Sequence, residues 1–483
     1  MNLSDLRQFT DRRWDDELLP RLVEYVKVPA MSPGFDPNWA AHGHLQRVVQ
    51  EGCAWGRAQA IAGLAIEIVA VDGRTPCIFF DAPATAAGGD RTVLFYGHLD
   101  KQPEMSGWRA GLGPWLPVIE DGRLYGRGAA DDGYAIYAAL TLIAALDAQG
   151  VPRPRCVGIV ESCEESGSPD LPAYLERLAA RFGDVGLVVG LDSGCGNYEQ
   201  LWVTTSLRGL VGGTLTVEVL EEGVHSGRAS GLVPSSFRIA RQLLNRIDDP
   251  ASGRLLDADF HAPIPAERLR QAQAAGAILG DQVWREFPWV GCNHGPDGHA
   301  HALPTTSDPV EGLLARTWRP ALSVTGAAGL PSIDAAGNVL RPKTSLKLSL
   351  RIPPTVDGSR ATERLARLLT EDPPYNARVR FDADWSASGW DAPPTAPWLA
   401  RAADAASRAV WGRDAAWIGE GGTIPFMNML GARFPQAQFL VTGVLGPKSN
   451  AHGPNEFLHL DYVKALTAAV AAIVTQMPAG GDR

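Results

Sequence analysis

The chain has 483 residues, enough for two or three domains at roughly 150 residues each. Hydrophobic residues make up 45% of it and charged residues 20%, the composition of a soluble globular protein with a full-sized core. The net charge of −10 and the lack of Lys/Arg runs argue against nucleic-acid binding, and no apolar stretch approaches the ~20 residues that span a bilayer.

The first part of the chain alternates helical and extended patterns. Apolar residues at helical spacing predict a helix over 4–27, which ends at Val28-Pro29. The elements predicted after it are strands over 92–96, 157–160 and 185–189 and helices over 134–148 and 170–181. Because these strands are almost wholly apolar and alternate with helices, they indicate a largely parallel sheet covered by helices.

After Arg208 the pattern changes to strands with one polar face. The elements predicted there are strands over 212–220, 344–352 and 377–381, helices over 234–247 and 361–369, and a His/Gly/Pro-rich insertion over about 250–317. From about 397 the first pattern returns, with helices over 399–410 and 460–476 and a strand over 437–441. We therefore expect a discontinuous α/β domain (1–207 and 392–483) interrupted by a smaller α+β domain (208–391).

Acidic residues and histidines follow several of the predicted α/β strands. In an open α/β sheet, ligands bind outside the carboxyl ends of the strands. Two imidazoles and three carboxylates at one edge fit two metal ions that share a carboxylate, with ligand types typical of zinc. The candidate groups are His98, Asp100, Asp131, Glu164, Glu165, Asp192 and His452.

Each of these motifs also has a simpler explanation when taken alone. A His-x-Asp sequence such as His98-Leu99-Asp100 occurs often as a histidine satisfied by its neighbour, and adjacent glutamates usually form a solvated face. Gly126-Arg127-Gly128 before a helix could hold a phosphate, but Asp131 and Asp132 occupy that helix start and would repel an anion. The convergence of the groups, rather than any one motif, points to a metal site.

Short motifs along nearly the whole chain carry a family resemblance. They are GHLDKQP (97–103), GRGAADD (126–132), EESGS (164–168), LDS (191–193), GVHSG (223–227), NVLRP (338–342), SLR (349–351), EGGTIP (420–425) and AHGPNE (451–456). In this order they resemble the dinuclear zinc metallopeptidases that include aminoacylase, carnosinase, nonspecific dipeptidase, succinyl-diaminopimelate desuccinylase and glutamate carboxypeptidase. EESGS and GVHSG are most similar to the carnosinase and dipeptidase branch.

The resemblance implies a metal centre with assigned ligands. It implies that one ion is held by His98, Asp131 and Asp192, and the other by Asp131, Glu165 and His452. It further implies that Glu164 is the general base and that Asp100 hydrogen-bonds the far nitrogen of His98. The implied ions are two divalent metals, with Zn²⁺ as the leading identity and Mn²⁺ or Co²⁺ as alternatives.

The resemblance also assigns residues in the 208–391 domain, which it implies to be a ferredoxin-like lid that forms a homodimer. His225 would stabilise the oxyanion in the partner's active site, the alternative being an ordinary surface histidine. Arg351 would bind a substrate carboxylate, the alternative being an exposed strand arginine. The remaining implied substrate contacts are Asn338, Gly421, Gly422 and Thr423.

We predict an enzyme that hydrolyses the peptide bond of dipeptides or short peptides. The alternatives are an N-acyl-amino-acid deacylase or desuccinylase of the same family, a non-catalytic binding relative, and a cysteine hydrolase using Cys195. Gly133 and Gly419 depart from the family pattern, which puts the substrate pocket in doubt. The insertion, with His294, His299 and His301, is predicted as a surface loop at the lid or dimer surface rather than a third metal site.

The spacing of the cysteines and the N-terminal sequence indicate the cellular compartment. The six cysteines are scattered without a CxxC pair, and the polar N-terminus has no apolar segment of the kind found in signal peptides. We therefore expect reduced thiols and a cytoplasmic location.

Overall fold

The structure is a computed structural model that describes residues 2–290 and 302–480. The chain forms two compact units. The first unit consists of Met1–Thr204, Ala392–Ile418 and Met429–Arg483, and the second consists of Thr205–Asp391 and Gly419–Asn428. The segment Gly419–Asn428 groups with the second unit, although the predicted boundaries place it in the first. The Thr423 hydroxyl, which donates to the carbonyl oxygen of Arg208, gives a physical reason for this grouping.

The first unit is built on a mixed sheet with a parallel centre. In sheet order its first seven strands are Ala65–Val69, Cys77–Ala82, Arg155–Glu161, Thr92–His98, Val185–Gly190, Gln438–Val441 and Trp202–Leu207, the last running on into the second unit. The strands Ala416–Glu420 and Trp390–Asp391 both pair with Trp202–Leu207. The four strands from Arg155–Glu161 to Gln438–Val441 are parallel, and the pairs on either side are antiparallel. The predicted largely parallel sheet is therefore confirmed, and its central strands are buried along their length because helices cover them.

The helices of this unit include two that are mostly apolar and almost wholly buried. Ala135–Ala148 and Leu460–Val474 are buried over almost their whole length, as expected of helices enclosed between the sheet and other helices. The other helices that contribute to this unit are Leu3–Arg13, the π-helical Trp14–Leu18, Leu19–Val26, Trp39–His42, His44–Arg57, Leu171–Arg177, Pro397–Trp411 and Pro425–Arg433. Across the described part of the chain, no helix has both the length and the hydropathy needed to cross a membrane.

Two short 3₁₀ helices and a small sheet complete the first unit. The 3₁₀ helices are Glu164–Ser166 and Ala179–Arg181, and the sheet consists of Val118–Glu120, Arg123–Tyr125 and Phe457–His459. The sheet joins the chain before Asp131 to the chain after His452.

The second unit contains a four-stranded antiparallel sheet with one covered face. In sheet order the strands are Ala321–Ala328, Lys343–Ile352, Gly209–Glu218 and Arg378–Ala387. Alternate residues of Lys343–Ile352 are buried, and they pack against the helices Ser236–Leu244 and Gly358–Thr370. The predicted α+β character is confirmed. The remaining elements of the unit are the strands Val224–His225, Val339–Leu340 and Trp390–Asp391, the helix Ser226–Ala229, and the 3₁₀ helices Ala258–Phe260, Ile333–Ala335 and Pro374–Asn376.

The prediction of a loop over about 250–317 is wrong where that segment is described. It contains the helices Ala266–Leu279, Gln282–Arg285 and Pro309–Thr317. Ala272, Leu314 and Trp318 form a small buried cluster that stabilises these helices. The Gly and Pro residues of the segment make the helical pattern difficult to detect in the sequence. His294, His299 and His301 lie outside the described residues.

Candidate metal centre

Three neighbouring parallel strands of the first unit bring one group of ligands together. His98 is the last residue of its strand, and Glu164 and Asp192 lie just beyond the ends of the strands on either side. Each offers one ligand atom, and these atoms lie within 4.8 Å of one another. The His98 Nε2 atom is 3.7 Å from Asp192 Oδ2 and 4.0 Å from Glu164 Oε2. The parallel sheet thus brings these three side chains together at one edge.

A second group lies beside the first and draws on a loop. Asp131, Glu165 and His452 offer three ligand atoms that also lie within 4.8 Å of one another. The His452 Nε2 atom is 3.0 Å from Asp131 Oδ2 and 3.3 Å from Glu165 Oε2. Gln102, which sequence reasoning missed, donates from Nε2 to Glu165 Oε2 at 2.6 Å and orients that carboxylate.

Asp131 connects the two groups. Its Oδ1 atom is 3.2 Å from His98 Nε2, and its Oδ2 atom is 3.0 Å from His452 Nε2. One carboxylate oxygen therefore faces each group, which is the arrangement that a shared ligand of two metal ions needs.

Asp100 orients more of the site than its predicted role includes. The His98 Nδ1 atom lies 3.1 Å from the Asp100 carbonyl oxygen and 3.5 Å from its Oδ1 atom. The Asp100 carboxylate accepts the backbone N–H groups of Glu164 and Glu165, at 3.0 and 2.9 Å. Asp100 therefore fixes both glutamates as well as the imidazole.

Asp132 is a buried carboxyl that sequence reasoning did not assign to the centre. Its Oδ2 atom accepts the backbone N–H of His98 at 3.3 Å, and Oδ1 has no hydrogen-bond partner among the described residues. Burial, with added repulsion from Asp192, raises the pKa of Asp132. The only sign of it in the sequence is the second aspartate of the Asp131-Asp132 pair.

Gly133 has a local packing reason for its departure from the family pattern. A Cβ atom there would lie 2.1 Å from the Tyr25 ring, so no side chain fits unless that ring moves. Gly419 is similarly confined, because its Cβ would lie 2.5 Å from Ser206 Oγ. Both departures thus match the packing around them.

The electrostatics of the centre favour bound cations. Burial and repulsion from Asp131 raise the pKa of Glu165 and bring that of Asp192 to about 7. Burial also raises the pKa of Glu164, whereas His452 and His98 hold that of Asp131 below its usual range despite burial. A buried group of carboxylates with only two imidazoles among them is costly without further positive charge. Its oxygen and imidazole donors suit divalent metals of the zinc type.

Two residues of the second unit that the resemblance implies as contacts of the reacting substrate, His225 and Asn338, are exposed. His225 accepts the Gly227 backbone N–H at Nδ1, 3.1 Å away. Its two-residue strand Val224–His225 pairs with Val339–Leu340, next to the exposed Asn338. His225 and Asn338 therefore lie in neighbouring segments of one unit.

Arg351 and Thr423 are in direct contact within the second unit. The Nη1 atom of Arg351 donates to Thr423 Oγ1 at 2.9 Å, and Thr423 donates to the Arg208 carbonyl oxygen at 2.7 Å. Arg351 is half-buried, and over the described ranges no carboxylate forms an ion pair with it; burial lowers its pKa. Gly421 has no room for a side chain because a Cβ would lie 2.6 Å from the Arg316 carbonyl oxygen, whereas Gly422 faces open space.

Comparisons with known proteins agree on one family. The family model described as peptidase family M20/M25/M40 matches residues 94–476. A cysteinylglycine-S-conjugate dipeptidase of Corynebacterium striatum is 27% identical over 380 residues, 76% of this chain and 77% of that protein.

Solved structures show the same fold. The di-peptidase Dug1p of Saccharomyces cerevisiae is 21% identical with a TM-score of 0.77, covering 99% of this chain and 98% of that one. Human carnosine dipeptidase 1 is 23% identical with a TM-score of 0.76, covering 99% of both chains.

Proposed function

Because the chain belongs to peptidase family M20/M25/M40, we propose that it hydrolyses the peptide bond of dipeptides. It is a metal-dependent peptidase with a dinuclear metal site. The observation that carries the proposal is Asp131, whose two oxygens face His98 and His452 in the two ligand groups. This architecture supports a hydrolase rather than a binding protein or a cysteine hydrolase that uses the buried Cys195.

We assign the ligands as the family resemblance implies, so Glu164, which lies beside His98 and Asp192, acts as the base rather than as a ligand. One ion is held by His98, Asp131 and Asp192, and the other by Asp131, Glu165 and His452. Zn²⁺ is the identity that this set of imidazoles and carboxylates favours, and Mn²⁺ and Co²⁺ are compatible with it.

Glu164 is the general base in this proposal. The bound ions supply Lewis acidity to the peptide carbonyl and lower the pKa of water. The Glu164 carboxylate takes the proton of the attacking water and returns it to the leaving amine nitrogen. Asp100 holds the Glu164 backbone N–H, so the carboxylate keeps its place beside His98 while it gains and loses the proton.

The second unit provides the proposed substrate contacts. Arg351 binds the carboxylate of the peptide, an assignment supported by its lack of an acidic partner in the described chain. Thr423 holds the Arg351 guanidinium, so we assign it a positioning role. His225 donates to the oxyanion across a homodimer formed by this unit, and its exposed ring is compatible with that. Asn338, Gly421 and Gly422 complete the proposed contacts.

We also propose a cytoplasmic location. None of the described cysteines forms a disulfide, and all are buried. Such thiols are typical of a reducing compartment.

The experiment is a substrate panel with metal-reconstituted enzyme. Dipeptides, N-acetyl amino acids and N-succinyl amino acids are compared by kcat/KM, with and without a chelator. We expect hydrolysis of dipeptides that the chelator abolishes, whereas a preference for N-acyl substrates would contradict the dipeptidase assignment.

Glu164→Gln tests the mechanism separately. It should lower kcat by roughly 10²–10⁴-fold while two metal ions stay bound, because only proton transfer is lost. The matched control is Glu176→Gln, an exposed glutamate of the same unit. A fully active Glu164→Gln enzyme would show that the base is another group.

A further inference from the structure

A buried ion pair joins the two chain segments that flank the centre. Arg127 is 1% exposed and Glu456 is 0% exposed, and Nη1 lies 2.5 Å from Oε2. Arg127 comes four residues before Asp131, and Glu456 comes four residues after His452. The pair therefore links the segment that carries the shared ligand to the loop that carries the second imidazole.

Further hydrogen bonds extend this link to the ligand itself. Arg127 Nη2 donates to the carbonyl oxygens of His452 and Gly453, at 3.1 and 2.9 Å. Glu456 Oε1 accepts the Gly128 backbone N–H at 2.9 Å. The Arg127 guanidinium thus holds the backbone of His452 directly.

The His452 loop needs such support. The His452 side chain is 57% exposed, so packing does little to fix its ring. Its φ angle is +64°, and Lys448, Asn450 and Asn455 in the same loop also have positive φ. These left-handed conformations cost free energy in non-glycine residues and persist when surrounding contacts impose them.

We propose that Arg127 and Glu456 are positioning residues that hold His452 against Asp131 and Glu165 and so maintain affinity for the second metal ion. This inference rests on the proposed assignment of those three residues to one ion. A buried ion pair adds little net stability compared with apolar residues of similar size, so geometry is its main contribution here. Lysine is no substitute, because only a guanidinium fork reaches Glu456 and both carbonyl oxygens at once.

The test is a Co²⁺ titration of metal-free protein, followed by visible absorption and calorimetry. Wild type should bind two equivalents. Arg127→Lys should bind the first with wild-type affinity and the second about 10–100-fold more weakly, the usual effect of removing a group that orients a ligand. The double variant Arg127→Met/Glu456→Met, which removes both charges of the pair, should show the same loss even if Arg127→Lys fails to fold.

Arg153→Lys is the matched control. Arg153 is also 1% exposed, bonds Asp147 through two nitrogens at 2.7 and 3.0 Å, and donates to the Pro83 carbonyl oxygen. It contacts none of the proposed ligands, so both equivalents should bind as in wild type. Unchanged second-site affinity in the double variant, or equal weakening in Arg153→Lys, would overturn the inference.

His452→Ala distinguishes a failure of this inference from a failure of the proposed ligand assignment on which it rests. If His452→Ala loses one equivalent but the Arg127 variants do not, the positioning role is wrong and the ligand assignment stands. If His452→Ala binds both equivalents with the wild-type spectrum, the ligand assignment is wrong and the positioning role falls with it.

Discussion

The two ligand groups are built in different ways. In the strand group (His98, Glu164 and Asp192), the imidazole is 0% exposed, sits at the end of a buried strand and has contacts on both ring nitrogens. In the loop group (Asp131, Glu165 and His452), the imidazole is 57% exposed on a loop with left-handed backbone. The sheet therefore preorganises the first group, whereas the second depends on side-chain contacts from elsewhere in the unit.

The two groups are nevertheless coupled. Glu164 lies in the strand group and the adjacent Glu165 lies in the loop group. The Asp100 carboxylate accepts the backbone N–H groups of both glutamates. Asp131 faces both imidazoles. Because of this coupling, substituting a shared residue should affect the binding of both metal ions. Substituting a single imidazole should instead show how the buried strand group differs from the exposed loop group.

Asp131→Ala should have the largest effect, because it removes the residue common to both groups. We expect both metal equivalents to be lost and kcat/KM to fall by at least about 10⁴-fold, beyond the loss from proton transfer alone. Metal analysis and steady-state kinetics check this, with the exposed Asp90→Ala as control. One equivalent bound at wild-type affinity would mean that the groups are independent.

His98→Ala and His452→Ala should separate the groups in metal-free protein. His98→Ala leaves a cavity and removes the partner of buried Asp131, so we expect about 2–3 kcal/mol less free energy of unfolding. His452→Ala leaves no cavity because the ring is exposed, but it removes a partner of buried Asp131 and Glu165, so it should cost about 1–2 kcal/mol. Urea unfolding measures both, and equal losses would show that the loop group is as much a part of the folded core as the strand group.

The same contrast explains what the sequence could predict. The sequence could predict that three side chains lie at one sheet edge, namely those of His98, Glu164 and Asp192. Apolar strands alternating with helices indicate a parallel sheet, and the carboxyl ends of parallel strands lie at one edge. His452 also follows a predicted strand, but about a dozen residues beyond its end, so its contact with Asp131 and Glu165 depends on a loop with no periodic pattern. Contacts between distant residues, such as Asp100 with the glutamate backbone or Arg127 with Glu456, leave no local signal.

The outer strands and the small helices were harder to predict. Ala65–Val69 and Cys77–Ala82 pair antiparallel at the sheet edge, where the sequence pattern predicts no strands. The helix Ala266–Leu279 depends on packing against Pro309–Thr317, a contact that spans the insertion. Such elements form because of tertiary partners, so their local composition is a poor guide.

Glu161→Gln should have the smallest effect on the metal centre, and it tests what supports the strand group. Glu161 pairs with His98 in the sheet, and its side chain accepts hydrogen bonds from Tyr96, Ser168 and Cys163. Burial raises its pKa from 4.5 to about 7, so ionisation is disfavoured in the folded state. Its contribution to stability is therefore full below pH 4.5 and is lost as the pH rises to about 7.

Glutamine mimics the protonated side chain and removes this titration. Between pH 5 and pH 8, the free energy of unfolding of wild type relative to Glu161→Gln should fall by about 2–3 kcal/mol, because this interval covers most of the range between the unfolded pKa of 4.5 and the folded pKa of about 7. Urea unfolding of both metal-loaded proteins at the two pH values measures the difference and cancels the pH dependence of metal binding. A difference independent of pH would mean that Glu161 keeps one protonation state throughout, so that the strand group gains no pH-dependent support from this carboxyl.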